Sequence, residues 1–288
     1  MEPNISLAVD LGLTVASGSG GRDSASPSAL RSILVAGPSR TLEVKIAATR
    51  DEFEQAFRML ACQYRTRGYE SPSPKLFRFT PYHVLPDTTT FVAKHGATVV
   101  ATLSLVPDTA LLGLPLEGIY GPEVAHLRRE GRRLAEVTSL ADQGLGHREF
   151  LHVFAALARL MCQHHASQGG DSWVITTHPR HAAYYRKVLG FVPLGPRRSN
   201  PAVQDHPAEA LLMDVNLMRA KAPTRHLEIF GEPLPRSILA APGRPCDHAQ
   251  YFSTQSTQAD RRTILDLLHQ VEHLGGRSRW HEPGRIAA

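Results

Sequence analysis

The stretch LAEVTSLADQGLGHREFLHVFAALARLMCQHHASQGGDSWVITTHPRHAAYYRKVLGF (residues 134–191) decides the fold. Its first seven residues read as a short strand with one unexpected charge, Glu136. A glycine turn follows, Gln143-Gly144-Leu145-Gly146, and then the strongest helical pattern of the chain, Arg148 to Ser167. Phe150, Val153, Phe154, Leu157, Leu160 and Met161 recur there at helical spacing, and Gly169-Gly170 supplies the stop. Trp173 to Thr177 then reads as a buried strand, His181 to Val188 as a helix and Gly190 to Leu194 as the entry to another strand. Strands alternating with helices in this order predict an α/β domain with a mixed central sheet and helices on both faces.

Ahead of this stretch, residues 42–48 (LEVKIAA) alternate like a half-buried strand. Thr49 and Asp51 offer caps for a helix bearing Phe53, Phe57, Leu60 and Tyr64. Residues 70–89 carry four prolines and read as an extended loop. Residues 89–106 resemble a hairpin turning at His95-Gly96, Val124 to Arg133 a short helix broken at Gly131, and Leu211 to Leu217 a closing strand. The Ser-, Gly- and Pro-rich residues 17–40 place a flexible leader over 1–42. A domain over 43–218 and a C-terminal helical extension over 219–288 complete the expected organisation, with one amphipathic helix at Thr263 to Leu274.

Composition narrows the class. With 288 residues, 42% hydrophobic and 20% charged, the chain is neither collagen-like nor wholly disordered. The longest apolar run near Leu151 to Met161 is broken by His152 and Arg159, which excludes a spanning helix. Asp10 and Glu2 in the N-terminal segment argue against an export signal and for a cytoplasmic protein. Cys62, Cys162 and Cys246 form no metal pattern, and neither do His164-His165 or His178 and His181; no metal site is expected. A net charge of +5 suits an acidic partner, but no nucleic-acid motif is present and none is expected as a ligand.

Glu136 is the candidate for chemistry. A carboxylate on an apolar strand has a raised pKa if buried, which is how general bases are made. The alternative is an edge position facing solvent, or a pair with Arg132 or Arg133. The turn over Gly144 and Gly146 can aim backbone N–H groups at a phosphate, or be an ordinary loop.

YYRKVLGFVPLG (residues 184–195) resembles the closing motif of the GNAT acyltransferase fold. The chain further resembles the bacterial long-chain N-acyl amino acid synthases, including the N-acyltyrosine synthases, relatives of the acyl-homoserine-lactone synthases. That likeness runs from about Val44 to Leu217 and rests on four segments. They are YHVLPDTTTFVA (82–93), ATLSLVPDTALLGLPLE (101–117), LRREGRRLAEVTSLA (127–141) and HPRHAAYYRKVLGF (178–191). The lactone synthases carry Glu-x-Ser-Arg on the corresponding strand, whereas this chain has Glu136, Thr138 and Ser139. Lacking the Arg, it is expected to take an amino acid rather than S-adenosylmethionine.

The resemblance implies that a long-chain fatty acyl group passes from acyl carrier protein, or acyl-CoA, to the α-amino group of an amino acid, with tyrosine one candidate. Glu136 would be the base, and Val137, Thr138, Gly144, Gly146, His147 and Arg148 would hold the acyl-phosphopantetheine thioester, a co-substrate rather than a bound cofactor. Tyr64, Arg65, Tyr82 and His83 would form the acceptor side. Leu103, Leu105, Leu134 and Val174 would wall the acyl chain. An acidic carrier protein would meet Arg128, Arg129, Arg132, Arg133 and Arg148. Two other readings stay open: a non-catalytic acyl-carrier or lipid-binding module on a degenerate GNAT scaffold, and a generic acetyl-CoA N-acetyltransferase.

Overall fold

A computed structural model describes residues 13–15, 32–36, 40–222, 224, 227, 230–256, 261–274 and 279. In chain order its strands are β1 (Leu13–Val15), β2 (Ser32–Ala36), β3 (Thr41–Ile46), β4 (Thr89–His95), β5 (Thr98–Pro107), β6 (Leu134–Asp142), β7 (Ser172–Thr177), β8 (Val192–Pro193), β9 (Arg198–Asn200) and β10 (His206–Asp214). The helices are α1 (Arg50–Thr66), α2 (Glu117–Arg129), α3 (His147–Ser167), α4 (Pro179–Lys187), α5 (Val215–Lys221), α6 (Arg236–Leu239), α7 (Ala249–Ser253) and α8 (Arg261–Leu274). The strands join in one sheet ordered β1-β2-β3-β4-β5-β6-β7-β10-β8, with β9 on the end of β10. All pairs are antiparallel except β6 with β7, so the sheet is mixed.

The sheet begins earlier than the composition suggests. Ser32–Ala36 pairs with β3 from Ser32↔Lys45 to Ala36↔Thr41 and buries Ile33 and Val35 against α3. A run of alternating apolar residues finds a partner edge here despite its Ser- and Gly-rich surroundings. Most of the expected leader, residues 1–12, 16–31 and 37–39, lies outside the described residues.

Alternation along each strand sends successive side chains to opposite faces. On one face Leu42, Val44, Ile46, Phe91 and Leu103 pack on Val153, Leu157 and Leu160 of α3. On the other, Val92 and Val99 meet Phe53, Phe57 and Leu60 of α1. The second core is closed from outside by Phe252 of α7 and by Ile264 and Leu267 of α8, so the C-terminal helix docks on its own chain. A third cluster sets Tyr120, Val124 and Leu127 of α2 against Leu134, Val174 and Ala210.

Several boundaries differ from the sequence reading. Helix α2 starts at Glu117, ahead of Val124, by continuing through a kink at Tyr120 beside Pro122. Helix α4 begins at Pro179 because proline suits a first turn and His178 caps it. Strand β10 ends at Asp214, whose side chain accepts from the Leu217 N–H and starts α5. Asp108, directly after β5, accepts from Arg128 at 2.7 and 2.6 Å.

Helix α1 is anchored by a buried charge cluster. Glu52 accepts from Lys45 at 2.9 Å, from Lys94 at 2.7 Å and from the Ala48 N–H at 2.8 Å, while Thr49 and Glu52 close a capping box. Burial alone would raise the Glu52 pKa, but these partners outweigh it and leave it lowered. Glu52→Ala would strand two ammonium groups on the sheet, an expected loss of about 3 kcal/mol in urea unfolding at neutral pH. A lowered pKa means that the folded state is favoured by the ionised form. The gap between wild type and variant should therefore hold above the ordinary carboxylate range and close as pH falls through the depressed value. A gap that widened in acid would contradict this role.

Candidate active site

Strands β6 and β7 are paired at only three positions, Leu134↔Ser172, Ala135↔Trp173 and Glu136↔Val174, and beyond them the two strands run on without ladder contacts. A few residues farther along, β6 bulges against β5: Thr102 faces Ala141 and Ser104 faces Thr138, so Leu103 stands opposite both Ser139 and Leu140. Ser139 sits in the left-handed region at φ 59°, a strained conformation for a residue with a side chain. Glu136 is thus the last residue before the sheet opens.

Two cavities flank this opening. One, of about 580 Å³, lies on the α3 and α4 face. The other, of about 480 Å³, lies on the α1 and α2 face beneath the loop that carries Tyr69 and Tyr82. Tyr64, Tyr69, Thr138, Ser139, Thr176, Thr177 and His178 line both, so the cavities adjoin through the gap between β6 and β7. Both volumes fall within the ~300–1,000 Å³ usual for small-molecule sites.

Glu136 faces the smaller cavity and is 4% exposed. Strand β6 is interior, paired on both sides, and Arg132 and Arg133 are engaged elsewhere, with Asp214 and Asp171. The edge-strand and ion-pair alternatives are therefore excluded. The Glu136 Oε2 accepts from the Leu116 N–H at 2.7 Å. Burial pushes its pKa up to about 8; the Leu116 bond opposes this and nearby Glu117 adds to it. The loop supplying Leu116 is pinned by Arg128, whose guanidinium binds Asp108 and Glu117 together, while Glu117 accepts from the Leu114 N–H at 2.6 Å. Tyr82, raised to about 12 by burial and by Glu136 and Glu117, stays a neutral phenol on the same cavity.

The remaining expected residues divide. Tyr64 lines both cavities, but Arg65 lines neither: its guanidinium donates to Ala61 O, Ser73 O and Lys75 O and closes the loop after α1. Arg78, which sequence reasoning passed over, lines the Glu136 cavity instead. It donates to Glu70 at 2.7 Å, with both side chains 9% exposed, and its guanidinium lies 3.8 Å over the Tyr64 ring. His83 is a core residue, stacked on Phe79 and tilted against Phe57, with Nδ1 accepting from the Thr80 N–H. Burial foremost lowers its pKa to about 3.

Val137, Thr138 and His147 line the larger cavity. Gly144, Gly146 and Arg148 stand outside the lining, in the turn and first helical turn beside it. Gly144 takes φ 70°, and Gly146 caps α3 with no side-chain acceptor for the first N–H groups. Of the four residues expected to wall an acyl chain, Leu103 alone lines this cavity. Leu105 is packed in the α3 core, and Leu134 and Val174 lie where β6 and β7 are still paired, against α2. The apolar wall comes instead from Leu151, Phe154, Ala158 and Met161 of α3, Tyr184 and Tyr185 of α4, and Trp173 and Ile175 of β7. On α3 the spacing that signals a core face also describes this wall.

The expected basic docking patch is largely neutralised. Arg128, Arg132 and Arg133 each hold carboxylates, whereas Arg129 and Arg148 are exposed. His164 and His165 are structural: the first contacts Thr89 Oγ1 at 3.2 Å and Leu239 O at 2.7 Å, and the second accepts from the Trp173 indole N–H. Among the described residues no group of three or more His, Cys, Asp or Glu is placed to hold a metal ion. No helix among them is long and apolar enough to cross a membrane.

No curated protein matches the chain. Among solved structures it is similar to FeeM, an N-acyl amino acid synthase from uncultured soil microbes, at 27% identity and a TM-score of 0.56, over 65% of this chain and 97% of that one. It also shares its fold with the AHL synthase LasI, at 14% identity and a TM-score of 0.50, over 67% of this chain and 97% of that one. The family model described as N-acyl amino acid synthase FeeM matches residues 55–215, more than half of the chain and nearly all of the residues around both cavities. With a buried carboxylate beside the gap through which two cavities adjoin in a mixed sheet, the chain is an N-acyltransferase and belongs to the FeeM family of N-acyl amino acid synthases.

Proposed function

We propose that the enzyme moves a long-chain fatty acyl group from a phosphopantetheine thioester, carried by acyl carrier protein, to the α-amino group of an amino acid, tyrosine being the first to test. The observation behind this reading is the pair of cavities meeting beside Glu136, one with a largely apolar wall and one with a carboxylate and three tyrosines. An amine must lose a proton to attack a thioester, and Glu136 is the buried carboxylate available to take it. Thioester and amine would meet at the gap, where Thr138 and Ser139 face both chambers. Backbone N–H groups around Val137, on the part of β6 that has left β7, would polarise the thioester carbonyl.

The pantetheine arm would run along His147 and the Gly144 to Arg148 turn, where the uncapped N–H groups of α3 suit a phosphate. Tyr184 and Tyr185, both raised by burial and both lining the larger cavity, would be protonated donors available to the leaving sulfur. Tyr64 and Tyr82 would enclose the acceptor. Residues 43–218 would carry the reaction, since the lining of both cavities falls within them apart from Phe230, and 219–288 would brace the scaffold from outside. The thioester donors of fatty acid synthesis are cytoplasmic, and we place the enzyme there.

Expression in a heterologous bacterium should yield lipids whose mass is a long-chain fatty acid plus an amino acid less water. Purified protein should form the same product from long-chain acyl carrier and acylate poorly from acetyl-CoA. Ready use of acetyl-CoA with no long-chain product would favour the acetyltransferase alternative. Acyl-carrier binding without turnover would favour the non-catalytic one.

A further inference from the structure

We propose that Arg78 is the carboxylate-binding residue of the acceptor cavity, so that the enzyme selects α-amino acids with a free carboxylate over simple amines. This rests on the reading of the Glu136 cavity as the acceptor site. Glu136 and Arg78 line one chamber of about 480 Å³, and no other Lys or Arg does so among the described residues. An α-amino acid presents a cation and an anion one carbon apart. A buried carboxylate and a buried guanidinium on one cavity match that charge pattern.

The guanidinium is held for such a task. One amino group binds the Glu70 carboxylate at 2.7 Å, and the plane rests on the Tyr64 ring, which fixes its orientation. Arginine carries five N–H donors in a rigid fork, and the side-chain bond to Glu70 occupies one. The others suit a planar carboxylate, the partner this fork binds in two parallel bonds. Glu70 offsets the charge when the cavity is empty. Tyr64, Tyr69 and Tyr82 on the same cavity give an aromatic acceptor side chain surfaces to pack on. Arg65, one residue from Tyr64, is unavailable because its own donors close the loop after α1.

The test compares acceptors before it compares variants. Wild-type enzyme with a long-chain acyl carrier is assayed against the twenty amino acids. The best one is then set against its carboxamide and its decarboxylated amine. A preference of about 10²-fold in kcat/KM for the free acid over the decarboxylated amine supports the proposal, as expected for a buried charge-assisted fork. Equal use of acid and amine overturns it while leaving amino acid acylation intact. Absence of product with any amino acid overturns the acceptor reading and this proposal with it. In Arg78→Gln the KM for the free acid should rise about 10²-fold with little change for the decarboxylated amine or the acyl donor, and Arg78→Lys should recover part of it. A rise in the donor's KM instead, or a uniform fall in kcat for acid and amine alike, would assign Arg78 a different task. Should Arg78→Gln fail to fold, Arg78→Lys carries the same comparison: a raised KM for the free acid with the amine and the acyl donor unmoved supports the proposal, and an unchanged KM for the acid overturns it.

Discussion

Glu136→Gln should lower acyl transfer by about 10²- to 10⁴-fold while the protein remains folded. Glutamine is near-isosteric, and its carbonyl can still accept from the Leu116 N–H that now holds the carboxylate at 2.7 Å. The pH profile carries the sharper signature. A base works only when ionised, and burial, partly opposed by Leu116 and aided by Glu117, raises this group to about 8. In wild type, kcat/KM should climb with pH and level off above about 8; in the variant that limb should vanish. The linkage runs the other way for stability. A carboxyl group with a raised folded pKa favours the fold while protonated, and this advantage is lost as pH rises from the unfolded value through about 8. Glu136→Gln should thus unfold at higher urea than wild type in mildly alkaline buffer. A variant with lower activity and lower stability together would point to damage, and undiminished turnover would remove Glu136 from the chemistry.

The sequence makes this residue visible for a simple reason: a charge inside LAEVTSL violates a strong pattern, and violations cluster where function overrides packing. The βαβ order and the long helix α3 were legible on the same grounds, because periodicity survives without knowledge of the partner surface. The acyl wall was not. Whether an apolar residue fills a core or lines a cavity depends on where β6 and β7 part, and that point falls just after Glu136, ahead of the bulge at Ser139. Serine carries no signal for a left-handed backbone, so Leu134 and Val174 looked as suitable as Ile175, which lies just beyond the last paired residue.

The acceptor side shows the same limit. Arg65 and His83 stand beside Tyr64 and Tyr82 in the chain, yet neighbours on a helix or a tight turn point apart. Arg65 turns to loop carbonyls and His83 to the phenylalanine core, while the Pro-rich loop returns Arg78 to the cavity from 14 positions beyond Tyr64. A long loop hides its long-range contacts from any local pattern. The strand Ser32–Ala36 escaped notice similarly, since its pairing with β3 is a property of the sheet edge rather than of its neighbours in sequence.

Filling the larger cavity should shorten the acyl chain that the enzyme prefers. Leu151, Phe154, Ala158 and Met161 recur at three- and four-residue spacing on α3 and present one continuous wall. Ala158 is the smallest of them, so its side chain leaves the most space that a ring would take up. Ala158→Phe adds that ring on a helix whose opposite face stays packed by Val153, Leu157 and Leu160, and the fold should survive. Each methylene excluded from an apolar chamber forfeits about 0.8 kcal/mol, close to fourfold in kcat/KM. Loss of room for three or four methylenes therefore predicts about 10²-fold lower kcat/KM with the longest favoured acyl carrier and little change with chains short enough to stop before the ring. Met161→Ala should move the optimum the other way. The measurement is kcat/KM across a ladder of acyl carriers at a fixed, saturating amino acid. The shape of that ladder decides: an equal fall at every length would mean that Ala158→Phe disturbs the gap between β6 and β7, and an unmoved optimum would mean that the chain lies elsewhere. A displaced optimum with an intact short-chain rate requires the alkyl tail to run along α3.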